Sequence, residues 1–219
     1  MIEFRDLKKS FSGREVLKGI TFDVDQGEIV FVLGTSGTGK SVLLKNLVGL
    51  LQPDSGEIYI DQERVDGKSE EEYLPIRRKC GMVFQHPALF DSLTVFENVA
   101  FGLRKHYQLS EPEIHKRVRR SLDLVRLKDV EEKMPQDLSY GMQKRVSLAR
   151  TVAIEPKVLL FDEPTTGLDP VTTNAVNKLI YDLSRELKVT SMVVSHDMHC
   201  ALDIADKIIV LDKGYVVDQ

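Results

Sequence analysis

The chain has 219 residues, 42% apolar and 29% charged, with 30 Lys and Arg against 34 Asp and Glu and a formal net charge of −4. That is the make-up of a globular domain large enough to bury a core, and it excludes a disordered chain. No apolar run approaches the roughly 20 residues of a membrane helix, the two cysteines lack the spacing of a disulfide scaffold or zinc site, and the acidic balance argues against a nucleic-acid partner. Cysteine usage fits a reduced, cytosolic chain, and Met1 opens a polar stretch rather than a signal peptide.

Taken in chain order, Ile2–Phe4 and Ile20–Val24 alternate apolar and polar residues, as antiparallel strands with one wet face do. Ile29–Leu33 is a continuous apolar run between Gly27 and Gly34, the pattern of a strand covered on both faces in a parallel sheet. A helical run, Val42–Leu50, follows, and Glu57–Ile60 returns to alternation. Val95–Lys105, Glu111–Leu127 and Ser139–Ile154 carry helical periodicity, the second opened by Ser110 as a cap and Pro112 in the first turn. Val158–Phe161 and Ser191–Val194 are further buried strands, and Ile208–Leu211 and Tyr215–Val217 flank a Gly-containing turn as a hairpin. The pattern predicts an α/β fold with a helical insertion and no linker between independent domains.

Gly34, Thr35, Ser36, Gly37, Thr38, Gly39, Lys40 and Ser41 fit the phosphate-loop pattern G-x-x-x-x-G-K-[ST], between a predicted strand and a predicted helix. Glycines let backbone N–H groups turn inward onto phosphate oxygens, and the helix N-terminus adds partial positive charge. Lys40 is expected on the β- and γ-phosphates and the Ser41 hydroxyl on Mg²⁺. The strand Val158–Phe161 ends in Asp162 and Glu163. Neighbours on a strand point to opposite sides, so Asp162 is assigned to the Mg²⁺ shell through water and Glu163 to polarising an attacking water.

With these two sites in place, the whole stretch from Phe4 to Val217 resembles the nucleotide-binding subunit of ATP-binding cassette (ABC) transporters. Val83-Phe84-Gln85 is similar to the family's Q-loop, Leu138-Ser139-Tyr140-Gly141-Met142-Gln143 to its signature motif, Asp162-Glu163-Pro164-Thr165 to its Walker B strand end, Gly167-Leu168-Asp169-Pro170 to its D-loop and Ser195-His196-Asp197 to its switch histidine. The motifs stand in the family's order. Tyr140 and Met142 depart from it, where Gly and Gln are usual. The resemblance implies one ABC ATPase domain over residues 1–219, a P-loop NTPase with a parallel-sheet core, an antiparallel β-subdomain and a helical subdomain at about 86–150 that docks an integral membrane permease. It implies ATP and Mg²⁺ as ligands, and a head-to-tail homodimer in the ATP-bound state. Gln85 is then expected to sense metal and water, His196 to contact the γ-phosphate, Phe11 to stack on adenine, and Ser139 and Gly141 to reach the partner's ATP. A Tyr at position 140 is expected to be costly if the signature turn needs a positive φ.

The implied place is the cytoplasmic face of the membrane, peripherally bound. The stretch Ala88–Phe101, Met142 and Thr190–Met198 look most like the Mla-type ATPases that move phospholipid between bacterial membranes. The alternatives are the ATPase of a polar amino acid importer and a soluble non-transport ABC ATPase, the latter disfavoured by the single cassette and short helical insertion. Members of the family often continue past such a final hairpin, so a continuation beyond Gln219 is compatible with the resemblance.

Overall fold

In the computed structural model, which describes all 219 residues, the buried apolar runs become the middle of a six-stranded sheet. β1 (Ile2–Phe11) and β2 (Arg14–Val24) form a hairpin, and β3 (Ile29–Leu33) leads through a loop into α1 (Lys40–Leu47). β4 (Ser55–Ile60), β5 (Glu63–Arg64), α2 (Glu70–Lys79) and β6 (Cys80–Val83) follow. Three helices come next, α3 (Val95–His106), α4 (Glu111–Leu124) and α5 (Tyr140–Val152), with a 3₁₀ turn at Pro135–Asp137 ahead of the last. The chain then runs through β7 (Val158–Asp162), α6 (Pro170–Leu187), β8 (Thr190–Ser195), α7 (Met198–Ile204), β9 (Lys207–Asp212) and β10 (Tyr215–Asp218).

The large sheet has the order β10-β9-β3-β8-β7-β6, parallel except for the final hairpin, and the smaller antiparallel sheet has the order β2-β1-β4-β5. Because side chains alternate along a strand, the central strands serve two cores at once. Ile29, Phe31, Leu33, Leu159, Phe161 and Val193 face a core shared with α3, α4, α5 and α6. Val30, Val32, Val158, Leu160, Met192 and Val194 face a second core shared with α1 and the antiparallel sheet. This accounts for the unbroken apolar runs: neither face of these strands meets water.

The expected strands and helices are present, with shifted bounds. β1 continues to Phe11 through register shifts that bend the strand. The first helix stops at Leu47 rather than Leu50 because Gly49 takes a left-handed φ of 68°. α4 stops at Leu124 rather than Leu127, with Arg126 left-handed at φ 59°. Its start is as expected: the Glu113 carboxylate accepts from both the amide and the hydroxyl of Ser110.

Candidate active site

Parallel pairing places three loops side by side. Leu33 pairs with Ser195 and Asp162 with Val194, so β3, β7 and β8 end at the same edge of the sheet. The loops that leave them carry Gly34–Gly39, Glu163–Asp169 and His196–Asp197. The carboxyl ends of strands in an open α/β sheet are where ligands bind.

The first loop is held by its own backbone and by Lys40. The Lys40 ammonium is buried and donates to the carbonyls of Gly34, at 2.7 Å, and Thr35, at 3.0 Å. The Thr38 hydroxyl donates to the Thr35 carbonyl at 2.9 Å. Gly39 caps α1 with φ 101°, and a Cβ there would lie 2.7 Å from Leu17 Cδ2 in β2. Only glycine combines that backbone with that approach. Gly37 is left-handed too, while Ser36 and Gly37 stand on the open side of the curl. The loop presents α1's free N–H groups and a cation at one point, an arrangement suited to phosphate.

The hydroxyl of Ser41, one residue into α1, donates to Asp162 Oδ1 at 2.7 Å. Asp162 is itself buried at the end of β7. A hydroxyl and a carboxylate oxygen so close are hard donors suited to Mg²⁺. No cluster of three carboxylate, His or Cys groups forms an all-protein cage there. Mg²⁺ typically takes one or two protein oxygens and completes its shell with water and substrate phosphate. The donor set therefore fits that ion, with Ser41 and Asp162 as the residues that would hold it.

Glu163 lies where the three loops meet. One carboxylate oxygen, Oε1, is 3.5 Å from the Lys40 ammonium. The other, Oε2, is 2.8 Å from Nδ1 of His196 and accepts from the Thr166 hydroxyl at 3.2 Å. The Glu163 side chain is largely buried while that of His196 is 58% exposed, so the carboxylate sits under a rim that the imidazole forms. The separation of Asp162 from Glu163 does not come from strand alternation as expected. β7 ends at Asp162, and Glu163 turns away with a left-handed φ of 50°, its amide bonded to the Val194 carbonyl at 3.0 Å. A non-glycine residue held there is a strained position of the kind that collects at functional sites.

The remaining expected residues lie outside this cluster. Ser139 caps α5, accepting from the Met142 amide, and Gly141 lies in its first turn; neither hydrogen-bonds to the Lys40 cluster. Tyr140 is the first residue of α5 with ordinary helical backbone and is not among the left-handed residues, so the expected penalty for a tyrosine there does not arise. Its hydroxyl lies 3.3 Å from His86 Nδ1 and 3.5 Å from the Gln85 carbonyl. Gln85 follows β6 on the surface, and its side chain makes no bond to Ser41 or Asp162. The Arg150 guanidinium ties the neighbouring carbonyls of Pro87 and Ala88 to α5. Phe11, at the outer end of β1, is 41% exposed with the Lys9 ammonium 5.5 Å from its ring, so it is a surface aromatic and not part of the core.

The sequence reading passed over Lys144. It is buried in the second turn of α5 and donates to the carbonyls of Pro164, at 2.7 Å, and Thr166, at 2.8 Å. Burial pulls its ammonium down to about 8, against the opposing charge of Glu163. The available signal was its spacing: Lys144 falls three and four residues before Ser147 and Leu148, on the buried face of the helix.

A family model described as ABC transporter matches residues 17–166. The methionine import ATP-binding protein MetN of Carboxydothermus hydrogenoformans is 40% identical over 222 residues, covering 100% of this chain and 66% of that protein. The intermembrane phospholipid transport system ATP-binding protein MlaF of Escherichia coli K12 is 40% identical over 217 residues, covering 99% of this chain and 81% of that protein. The chain spans 62% of two further curated relatives, so it matches about two thirds of several longer proteins. Among solved structures, a dimeric post-hydrolysis state of the ATP-binding cassette MJ0796, bound to ADP and Pi, superposes with a TM-score of 0.90 at 34% identity, covering 100% of this chain and 97% of that one.

Proposed function

The chain belongs to the ABC transporter family, as an ATP-binding domain of P-loop ABC-ATPase fold, and on that premise we propose that it binds and hydrolyses ATP to drive a membrane transport complex. The observation that carries this reading is the meeting of Lys40, Glu163 and His196 beside the Ser41–Asp162 pair. Lys40 and the amides of Gly37, Thr38 and Gly39 bind the phosphate chain. Arriving phosphate oxygens replace the Gly34 and Thr35 carbonyls as partners of the Lys40 ammonium. Ser41 and Asp162 are the residues that would hold Mg²⁺, which would supply charge neutralisation to the phosphate chain.

Glu163 is the general base. Its carboxylate takes a proton from water, and its contacts to Lys40 and His196 hold it in one orientation. His196, bonded through one ring nitrogen to Glu163, has the other free for a γ-phosphate oxygen. Phe11, exposed at the end of β1, offers a ring for adenine. Ser139 and Gly141, at the N-terminus of α5, point to a second nucleotide on a second copy. A similar ATP-binding cassette that is dimeric with ADP and Pi bound supports the dimer.

No helix is long and apolar enough to cross a membrane. From its family we read the chain as peripheral, at the cytoplasmic face, docked to a permease through a helical subdomain at about 86–150. Gln85 links that subdomain to the site. We read the cargo as phospholipid, on the likeness of Ala88–Phe101, Met142 and Thr190–Met198 to phospholipid-transport ATPases, with MlaF 40% identical to this chain; the methionine import protein MetN, at the same identity, stands for the alternative. The test of the ATPase reading is phosphate release by the purified chain with Mg²⁺ and ATP, beside Lys40→Ala. Removing a charged hydrogen bond costs about 1.5–3 kcal/mol, so Lys40→Ala should bind ATP roughly 10- to 100-fold more weakly. Equal affinity in the two proteins overturns the phosphate-loop assignment. The cargo reading is tested by ATP-driven transfer of phospholipid between vesicles by the complex purified from its host; methionine uptake in its place would support the importer.

A further inference from the structure

Resting on the ATPase reading above, we infer that Lys144 is a positioning residue for the reaction: it fixes the turn that presents Glu163 and ties that turn to helix α5. The turn runs from Glu163 to Leu168. Its own backbone closes it only with long bonds, Thr166 N to Glu163 O at 3.3 Å and Leu168 N to Thr165 O at 3.2 Å. Lys144 supplies the two short ones, at 2.7 Å to Pro164 and 2.8 Å to Thr166. These carbonyls lie one and three residues past Glu163. Thr166 is also the residue whose hydroxyl reaches Glu163 Oε2. One side chain thus sets the backbone of the residue that orients the carboxylate.

The same lysine belongs to the helix that Ser139 caps. Tyr140, four residues earlier on α5, places its ring 5.2 Å from the Lys144 ammonium. Gly167, at the far end of the turn, lies beside that ring, with room for a Cβ at 3.6 Å. Movement of α5 therefore reaches the Glu163 turn through the hydrogen bonds of Lys144.

Packing does not require a lysine here. An apolar side chain of similar length fills the same space without removing an ammonium from water. The two carbonyls are what call for donors. A neutral amide with two N–H groups meets that need too, so the role rests on donors and not on net charge.

The experiment compares Lys144→Met and Lys144→Gln with the wild type, each also made with Glu163→Gln. Lys144→Met should lower kcat about tenfold or more while KM for ATP moves less than about twofold, because only the base is misplaced. Lys144→Gln should lose less than Lys144→Met, since its amide keeps N–H donors for the turn, though on a side chain one bond shorter. In the Glu163→Gln background, Lys144→Met should cause no further loss, because the two residues act as one unit. Wild-type kcat in a folded Lys144→Met, or an equal loss in both backgrounds, overturns the inference. Should Lys144→Met fail to fold, Lys144→Ala takes its place in the same comparison: wild-type kcat there, or an equal loss in both backgrounds, overturns the inference. Wild-type turnover in Glu163→Gln itself would instead overturn the ATPase reading, so the two failures are distinct.

Discussion

Glu163 and His196 meet across two strand ends, with 2.8 Å between Oε2 and Nδ1. They are far apart in sequence, and neither sits in a strand: each is the first residue past one, β7 for the carboxylate and β8 for the imidazole. The pairing of Asp162 with Val194 sets those strand ends level. The left-handed turn at Glu163 then swings its side chain toward the phosphate loop, where Lys40 waits 3.5 Å away. A base held between a cation and an imidazole has one orientation available, which is what proton abstraction needs.

The first prediction concerns assembly. If each ATP lies between the phosphate loop of one copy and Ser139 of another, a slowly hydrolysing protein should accumulate as a dimer. Light scattering should find Glu163→Gln monomeric without nucleotide and dimeric with Mg²⁺ and ATP. A dimer that ignores ATP, or a monomer at saturating ATP, would contradict the shared site.

A second prediction separates binding from chemistry at α5. Ser139→Arg should nearly abolish hydrolysis while nucleotide affinity changes little, because a bulky cation then occupies the position facing the partner's phosphate. Ser139→Ala is the milder comparison: it removes a helix cap worth about 1 kcal/mol and the hydroxyl offered to the partner's nucleotide but adds no bulk or charge, so it should lose less activity than Ser139→Arg. Normal turnover by Ser139→Arg would show that residues 138–143 serve only as scaffold.

Much of this was legible in the sequence, and what was not has a physical cause. The phosphate loop is read directly because eight consecutive residues carry it and a strand and a helix flank it. The buried strands are read from unbroken apolar runs. The contact of Glu163 with His196 is not legible, since it depends on strand order and on one left-handed residue. β6 was missed because its four residues include Gly81, which leaves little apolar pattern; a Cβ there would lie 2.5 Å from Thr151 Cγ2, so close packing accounts for the glycine. α6 and α2 were missed although their start signals were present: Asp169 caps α6 ahead of Pro170, and Ser69 with Glu72 forms a capping box on α2. A tyrosine at position 140 would strain its backbone only if the turn needed a positive φ, and as the first residue of a helix it does not.

The third prediction concerns stability. Gly49 has φ 68°, and a Cβ there would lie 2.4–2.5 Å from three ring carbons of Tyr73, which sits on α2 above it. Gly67 also has a positive φ of 72° but nothing within 4 Å. Both Ala substitutions carry backbone strain, and only Gly49→Ala adds overpacking, about 1–3 kcal/mol more. At roughly 2–4 °C per kcal/mol for a chain of this size, Gly49→Ala should melt several degrees below Gly67→Ala. Equal melting temperatures would show that Tyr73 moves aside freely.

The measurement that bears most directly on the account sets nucleotide affinity and turnover of Glu163→Gln beside those of the wild type. The amide keeps the size of the side chain and removes the base. Affinity for ATP should stay close to that of the wild type, while hydrolysis should fall roughly 10²- to 10⁴-fold, the usual share of a general base. A Glu163→Gln protein that hydrolyses ATP at the wild-type rate would contradict the assignment of Glu163, and with it the chemistry proposed for the site.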